Sequence, residues 1–76
     1  MITEHELGAL LMARLPGCDV ETRDRTGTQD HYNVRVRWHG FAGVPLIDQH
    51  RMVYAALDGP LKDGRLHAVE ITTQSA

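Results

Sequence analysis

The 76-residue chain has a single cysteine, Cys18. No disulfide can form within it, so nothing staples the fold in an oxidising compartment, and a reducing cytosol is the expected setting. A long hydrophobic run is also missing. The longest apolar stretch, LGALLMA at residues 7–13, is far short of the ~20 residues that span a bilayer, so no membrane span is expected. Glu4 and Glu6 stand where a signal peptide carries basic residues, and no such peptide is expected. An excess of positive charge is lacking too. Eight Lys and Arg are set against ten Asp and Glu, for a formal net charge of −2. That excludes nucleic-acid binding by bulk charge and leaves only a local basic face for it. There is no internal repeat, no low-complexity tract and no linker.

Several chemical fingerprints are absent as well. There is no G-x-S-x-G, P-loop or dinucleotide-binding glycine motif. There is no C-x-x-C, H-E-x-x-H or EF-hand spacing. Cys18 follows a helix end with no histidine at a telling distance, so it reads as a small, partly buried thiol. Nothing in these patterns points to an enzyme.

What remains is one small domain over residues 1–76, with 42% apolar content and room for one thin core. ITEHELGALLMARLPG predicts a helix. Thr3 and Glu6 form the capping-box pattern, with Ile2 and Leu7 spaced for a hydrophobic staple. Leu7, Leu10, Leu11 and Leu15 make its apolar stripe, and Pro16–Gly17 ends it. DVETR predicts a short strand, and DRTGTQD a polar loop or wide turn. HYNVRVRWH alternates: Tyr32, Val34, Val36 and Trp38 point one way, and His31, Asn33, Arg35, Arg37 and His39 the other. The two strands are expected to pair as an antiparallel hairpin.

GFAGVP predicts a turn and PLIDQHRMVYAAL a second helix, with Leu46, Ile47, His50, Val53, Tyr54 and Leu57 on a broad shared face. DGPLKDG breaks that helix and leaves room for one more turn around Leu61, stopped by Gly64. RLHAVEITT predicts the last strand, with His67 in its opening residues. The expected fold is α+β, in the order α-β-β-α-(α)-β. It is a three-stranded mixed sheet with helices on one face, the last strand parallel to a hairpin strand after a right-handed crossover. A monomer is expected, although an open sheet edge would allow a dimer.

Five histidines are many for this length. His5 and His39 fall at exposed positions. His31 opens the long strand, His50 lies on the second helix and His67 opens the last strand. Each of these three is either a structural ring with satisfied hydrogen bonds or a metal ligand. Arg35 and Arg37 share the wet face of the strand, with Arg51 and Lys62 nearby in sequence. They are either a solvated surface or a set of phosphate contacts. GFAG is a literal G-x-x-G, but it joins a strand to a helix and carries no basic residue, unlike the clamp loop of K-homology domains.

Taken together, DHYNVRVRW, GFAG, DQHRMVYAAL and GRLHAVEITT resemble the BolA family. The likeness runs from about Val20 to Thr73. It rests on the aromatic after His31, the F-x-G turn at Phe41–Gly43, H-R-x-V-Y at His50–Tyr54, and LHA at Leu66–Ala68. The resemblance implies a fold similar to the second class of K-homology domains. It implies a non-enzymatic partner for a monothiol glutaredoxin, the two sharing a [2Fe-2S] cluster with glutathione, in iron-sulfur cluster trafficking or in iron or redox sensing. In that picture His67 matches the ligand at the start of the last strand. His31 matches the His or Cys of the loop between the first two strands, and His50 is a further ligand or an interface residue. Imidazole ligation would couple such a site to pH near neutrality. Some members are described as transcriptional regulators of stress response and morphology. That alternative would use Arg35, Arg37, Arg51 and Lys62 on nucleic acid. The chain departs from the family pattern at Asp30, in place of a small residue before the loop histidine, and at Gln49, in place of a frequent arginine.

Overall fold

The computed structural model describes residues 1–76. Helix α1 spans Glu4–Arg14, strands β1 and β2 span Asp19–Asp24 and His31–Trp38, helices α2 and α3 span Leu46–Ala56 and Asp58–Asp63, and strand β3 spans Ala68–Ser75. The capping box of α1 is formed as expected. The Thr3 hydroxyl accepts from the Glu6 N–H at 3.1 Å, and the Glu6 carboxylate accepts from the Thr3 N–H at 3.2 Å. Ile2, just before the cap, is buried with Leu7, Leu11 and Leu15, which places the start of the chain in the core.

The sheet order is β1-β2-β3. β1 runs antiparallel to β2, and β3 runs parallel to it with His31 opposite Ala68. The long central strand shows the alternation that its sequence predicts: Tyr32, Val34 and Val36 are buried, while Asn33, Arg35 and Arg37 face solvent. The buried face packs on one core with Leu residues of α1, Val53 and Ala56 of α2, and Leu57 just after it. The opposite face of the sheet is open, which is the expected α+β arrangement.

Three expectations need correction. β2 ends at Trp38, and His39 opens a short 3-10 turn through Phe41. β3 begins at Ala68, so His67 lies just before the strand. The reason is that β2 itself begins at His31, opposite Ala68, so no β2 residue lies opposite position 67 in the ladder. The third concerns α2. Val53, Ala56 and Leu57 are buried and His50 is half-buried, but Leu46, Ile47 and Tyr54 are exposed. At about 100° per residue, Ile47 and Tyr54 sit roughly a quarter-turn off the Val53–Leu57 stripe. Leu46, the first residue of the helix, also stays outside the core.

The turn before α2 explains the F-x-G pattern. Phe41 is buried against the edge of the Trp38 ring, with centroids 5.3 Å apart and planes at 86°. Gly43 has φ +75°, a conformation that costs side-chain-bearing residues roughly 1–2 kcal/mol. Gln49 ties the turn down: its amide donates to the Val44 carbonyl at 2.8 Å and accepts from the Thr73 hydroxyl of β3 at 2.6 Å. The departure at Gln49 therefore has a structural use. Gly40 meets a second constraint. A Cβ there would sit 2.5 Å from two carbons of the Trp38 indole, whose N–H donates to the Pro16 carbonyl at 2.8 Å. The indole cannot yield without losing that bond and its contact with Phe41. Gly40→Ala is expected to destabilise the fold by about 1–3 kcal/mol, read as a lower urea midpoint.

Candidate functional site

The parallel pairing of β2 with β3 brings together two residues far apart in sequence. With His31 opposite Ala68, residue 67 falls beside residue 30. The Asp30 carbonyl accepts from both the His67 N–H at 2.8 Å and the Ala68 N–H at 3.1 Å. The Asp30 carboxylate then lies between two imidazoles. Its Oδ1 is 2.9 Å from His31 Nδ1, and its Oδ2 is 3.1 Å from His67 Nδ1. The two ring centroids are 5.9 Å apart, with planes at 87°. The Asp30 side chain is only 19% exposed, against 38% for His31 and 58% for His67. The carboxylate is thus sheltered beneath two accessible rings.

The loop that carries Asp30 is organised from within. Asp24 accepts from the backbone N–H groups of Thr26, Gly27 and Gln29 at 3.0–3.3 Å. The Gln29 carbonyl accepts from the Ile2 N–H at 2.8 Å, and the Tyr32 hydroxyl donates to the Ile2 carbonyl at 2.7 Å. Tyr32, the aromatic after His31, therefore fixes the base of the site by joining the loop end to the buried chain start. Its hydroxyl pKa is pushed up, chiefly by burial. The Thr28 hydroxyl donates to Asp30 Oδ1.

Those hydrogen bonds, from Thr28 first and then His31, lower the Asp30 pKa to about 2 from an ordinary 3.8. Glu6 is lowered by its bonds from Thr3, and Asp63 by its bond from the Arg65 N–H. Each folded-state pKa lies below its unfolded value, so each carboxylate contributes stability above about pH 4 that is lost as pH falls through the folded pKa. The melting temperature is expected to drop between about pH 4 and pH 2, and less steeply in Asp30→Asn, as followed by circular dichroism.

The other candidates lie elsewhere. No group of three or more His, Cys, Asp or Glu side chains is arranged to hold a metal ion, so neither His50 nor Cys18 extends the His31–His67 pair into such a set. Cys18 is buried, and burial pushes its thiol pKa up, away from reactivity. His5 and His39 are exposed, and His39 lies against Trp38 with centroids 5.5 Å apart. Arg35 and Arg37 lie on the open sheet face, where a shallow depression of about 520 Å³ mixes Arg23 and Arg35 with Glu21 and Glu70. Arg51 and Lys62 are on the helical layer, 3.5 Å from Asp48 and 3.1 Å from Asp58. The four cations do not converge.

Asp30 is the residue of this cluster that sequence reading passes over. It stood out only as an unusual neighbour of His31. Its second partner, His67, comes from tertiary pairing that no local signal announces.

A family model described as BolA-like protein matches residues 18–76. The chain belongs to the BolA family. An uncharacterised protein of Rickettsia prowazekii is 35% identical over 74 residues, covering 97% of this chain and 95% of that one. The solved structure of BolA1 from Arabidopsis thaliana superposes with a TM-score of 0.82 at 28% identity, over 93% of this chain and 88% of that one. The BolA domain of SufE1 from the same plant gives 0.80 at 26% identity, over 99% and 95%. In this BolA domain the F-x-G turn, the aromatic after His31 and the L-H-A segment each have a visible structural task. No helix is long and apolar enough to cross a membrane.

Proposed function

We propose that this BolA domain is a non-enzymatic, cytosolic adaptor that binds a monothiol glutaredoxin and shares a [2Fe-2S] cluster with it, in iron-sulfur cluster trafficking or iron sensing. One observation carries the reading: His31 and His67 stand side by side at the exposed leading end of β2 and β3, each with Nδ1 turned to Asp30. Nε2 of each ring is left without a partner among the protein's hydrogen bonds. Two imidazoles suit half of a [2Fe-2S] ligand set, since two histidines replace two cysteines on one iron in known centres. The remaining ligands then come from outside the chain, and thiolates of glutaredoxin and glutathione are the chemically matched source. The cluster is cargo held between two proteins. This chain's part is to present two rings from adjacent strand ends without opening its core.

The nucleic-acid reading has no comparable cluster. Arg35, Arg37, Arg51 and Lys62 are divided between two layers, and three of them face carboxylates.

The test is anaerobic reconstitution of the chain with a monothiol glutaredoxin, glutathione, iron and sulfide, followed by visible absorption, circular dichroism and size-exclusion chromatography. A heterocomplex with a spectrum distinct from that of the glutaredoxin homodimer is expected. An unchanged homodimer spectrum with no co-elution overturns the reading.

A further inference from the structure

We propose that Asp30 is a positioning residue that commits Nε2 of His31 as the ligating atom by holding its ring proton on Nδ1. This rests on the reading of the two histidines as ligands and goes beyond it, because it says which nitrogen binds and what decides it. A carboxylate only accepts hydrogen bonds, so a ring nitrogen facing it must carry the proton. In neutral imidazole the other nitrogen then holds the free lone pair. Asp30 Oδ1 is hydrogen-bonded to His31 Nδ1 at 2.9 Å, whereas its Oδ2 lies 3.1 Å from His67 Nδ1 as a charge contact without hydrogen-bond alignment. The carboxylate therefore sets the tautomer of the His31 ring.

Asp30 is itself held on three sides. The Thr28 hydroxyl donates to its carboxylate, and its carbonyl accepts the N–H groups of His67 and Ala68. A carboxylate placed only to solvate a loop needs no such anchoring. An isolated neutral histidine in water favours the proton on Nε2, the reverse of what ligation through Nε2 needs. The arrangement is thus a prepaid orientation: the His31 ring does not have to exchange its proton position when a metal arrives.

Two measurements test this. Long-range proton–nitrogen correlation spectra of the metal-free chain, recorded where the imidazoles are neutral, report the tautomer of each ring directly. The wild type is expected to hold His31 in the Nδ1–H form, and Asp30→Ala to return it mainly to the Nε2–H form, with His67 as the internal reference. Asp30→Asn replaces one acceptor oxygen by a donor amide and is expected to weaken the His31 Nδ1–H preference; it serves if the alanine variant fails to fold. In the reconstituted heterocomplex, Asp30→Ala is expected to weaken cluster retention by about 10- to 100-fold, the usual effect of removing a hydrogen-bond partner of a metal-bound histidine. A wild-type His31 ring in the Nε2–H form, or an Asp30→Ala variant with an unchanged His31 tautomer or unchanged retention, overturns the role of Asp30. If instead His67→Ala leaves the heterocomplex spectrum intact, the ligand reading fails, whatever the tautomers show.

Discussion

His67→Ala is expected to abolish the heterocomplex spectrum while leaving the fold intact. The His67 side chain is 58% exposed and is absent from the core, and its only polar side-chain contact is with Asp30. Surface substitutions of this kind change stability by within about 0.5 kcal/mol. The backbone bond from residue 67 to the Asp30 carbonyl survives in the variant, since alanine keeps the N–H. The loss is therefore confined to ligation. With one of only two imidazoles gone, the chain keeps a single ring, and the glutaredoxin homodimer becomes the preferred home of the cluster. The measurement is visible circular dichroism of the reconstituted mixture beside the melting temperature of the chain alone. His50→Ala, on the half-buried side of α2, is the matched control and is expected to keep the heterocomplex signal. A signal that survives in His67→Ala and vanishes in His50→Ala would move the ligand to the helix.

The second large effect is on stability. Phe41→Ala is expected to cost about 3–5 kcal/mol, the range for deleting a buried aromatic ring. Phe41 is 1% exposed in a core of 14 buried residues, so the cavity has few neighbours able to collapse into it. The ring also supports the Trp38 indole edge-on, and that indole links the sheet to the end of α1 through the Pro16 carbonyl. The whole stability of a small domain is about 5–15 kcal/mol, so the variant should lie near its unfolding threshold at 37 °C. Urea unfolding by tryptophan fluorescence gives the direct reading, because the only tryptophan reports on the site of the change. A loss below about 1 kcal/mol would mean that the turn is peripheral to the core.

Much of this molecule is legible along the chain. The capping box at Thr3–Glu6, the alternation from Tyr32 to Trp38, the interrupted helix around Pro60 and the α-β-β-α-(α)-β order are local. Neighbouring residues decide them, through caps, side-chain period and turn chemistry. His31 and His67 also stood out, because histidines at strand ends are visible in one dimension and a family likeness assigned them a role.

What the local signals missed depends on pairing. The buried face of α2 is narrower than its apolar pattern, because that pattern shows which residues tolerate burial and the sheet decides which of them are covered. In sequence Gln49 is only the absence of a charge; in the fold its amide bridges the Val44 carbonyl and the Thr73 hydroxyl. By itself the sequence determined the elements, the apolar core and the two histidines as candidates. The tertiary structure decided that residue 67 falls beside residue 30, because only the parallel register of β3 on β2 joins the two ends. That register sets one aspartate carboxylate between both rings.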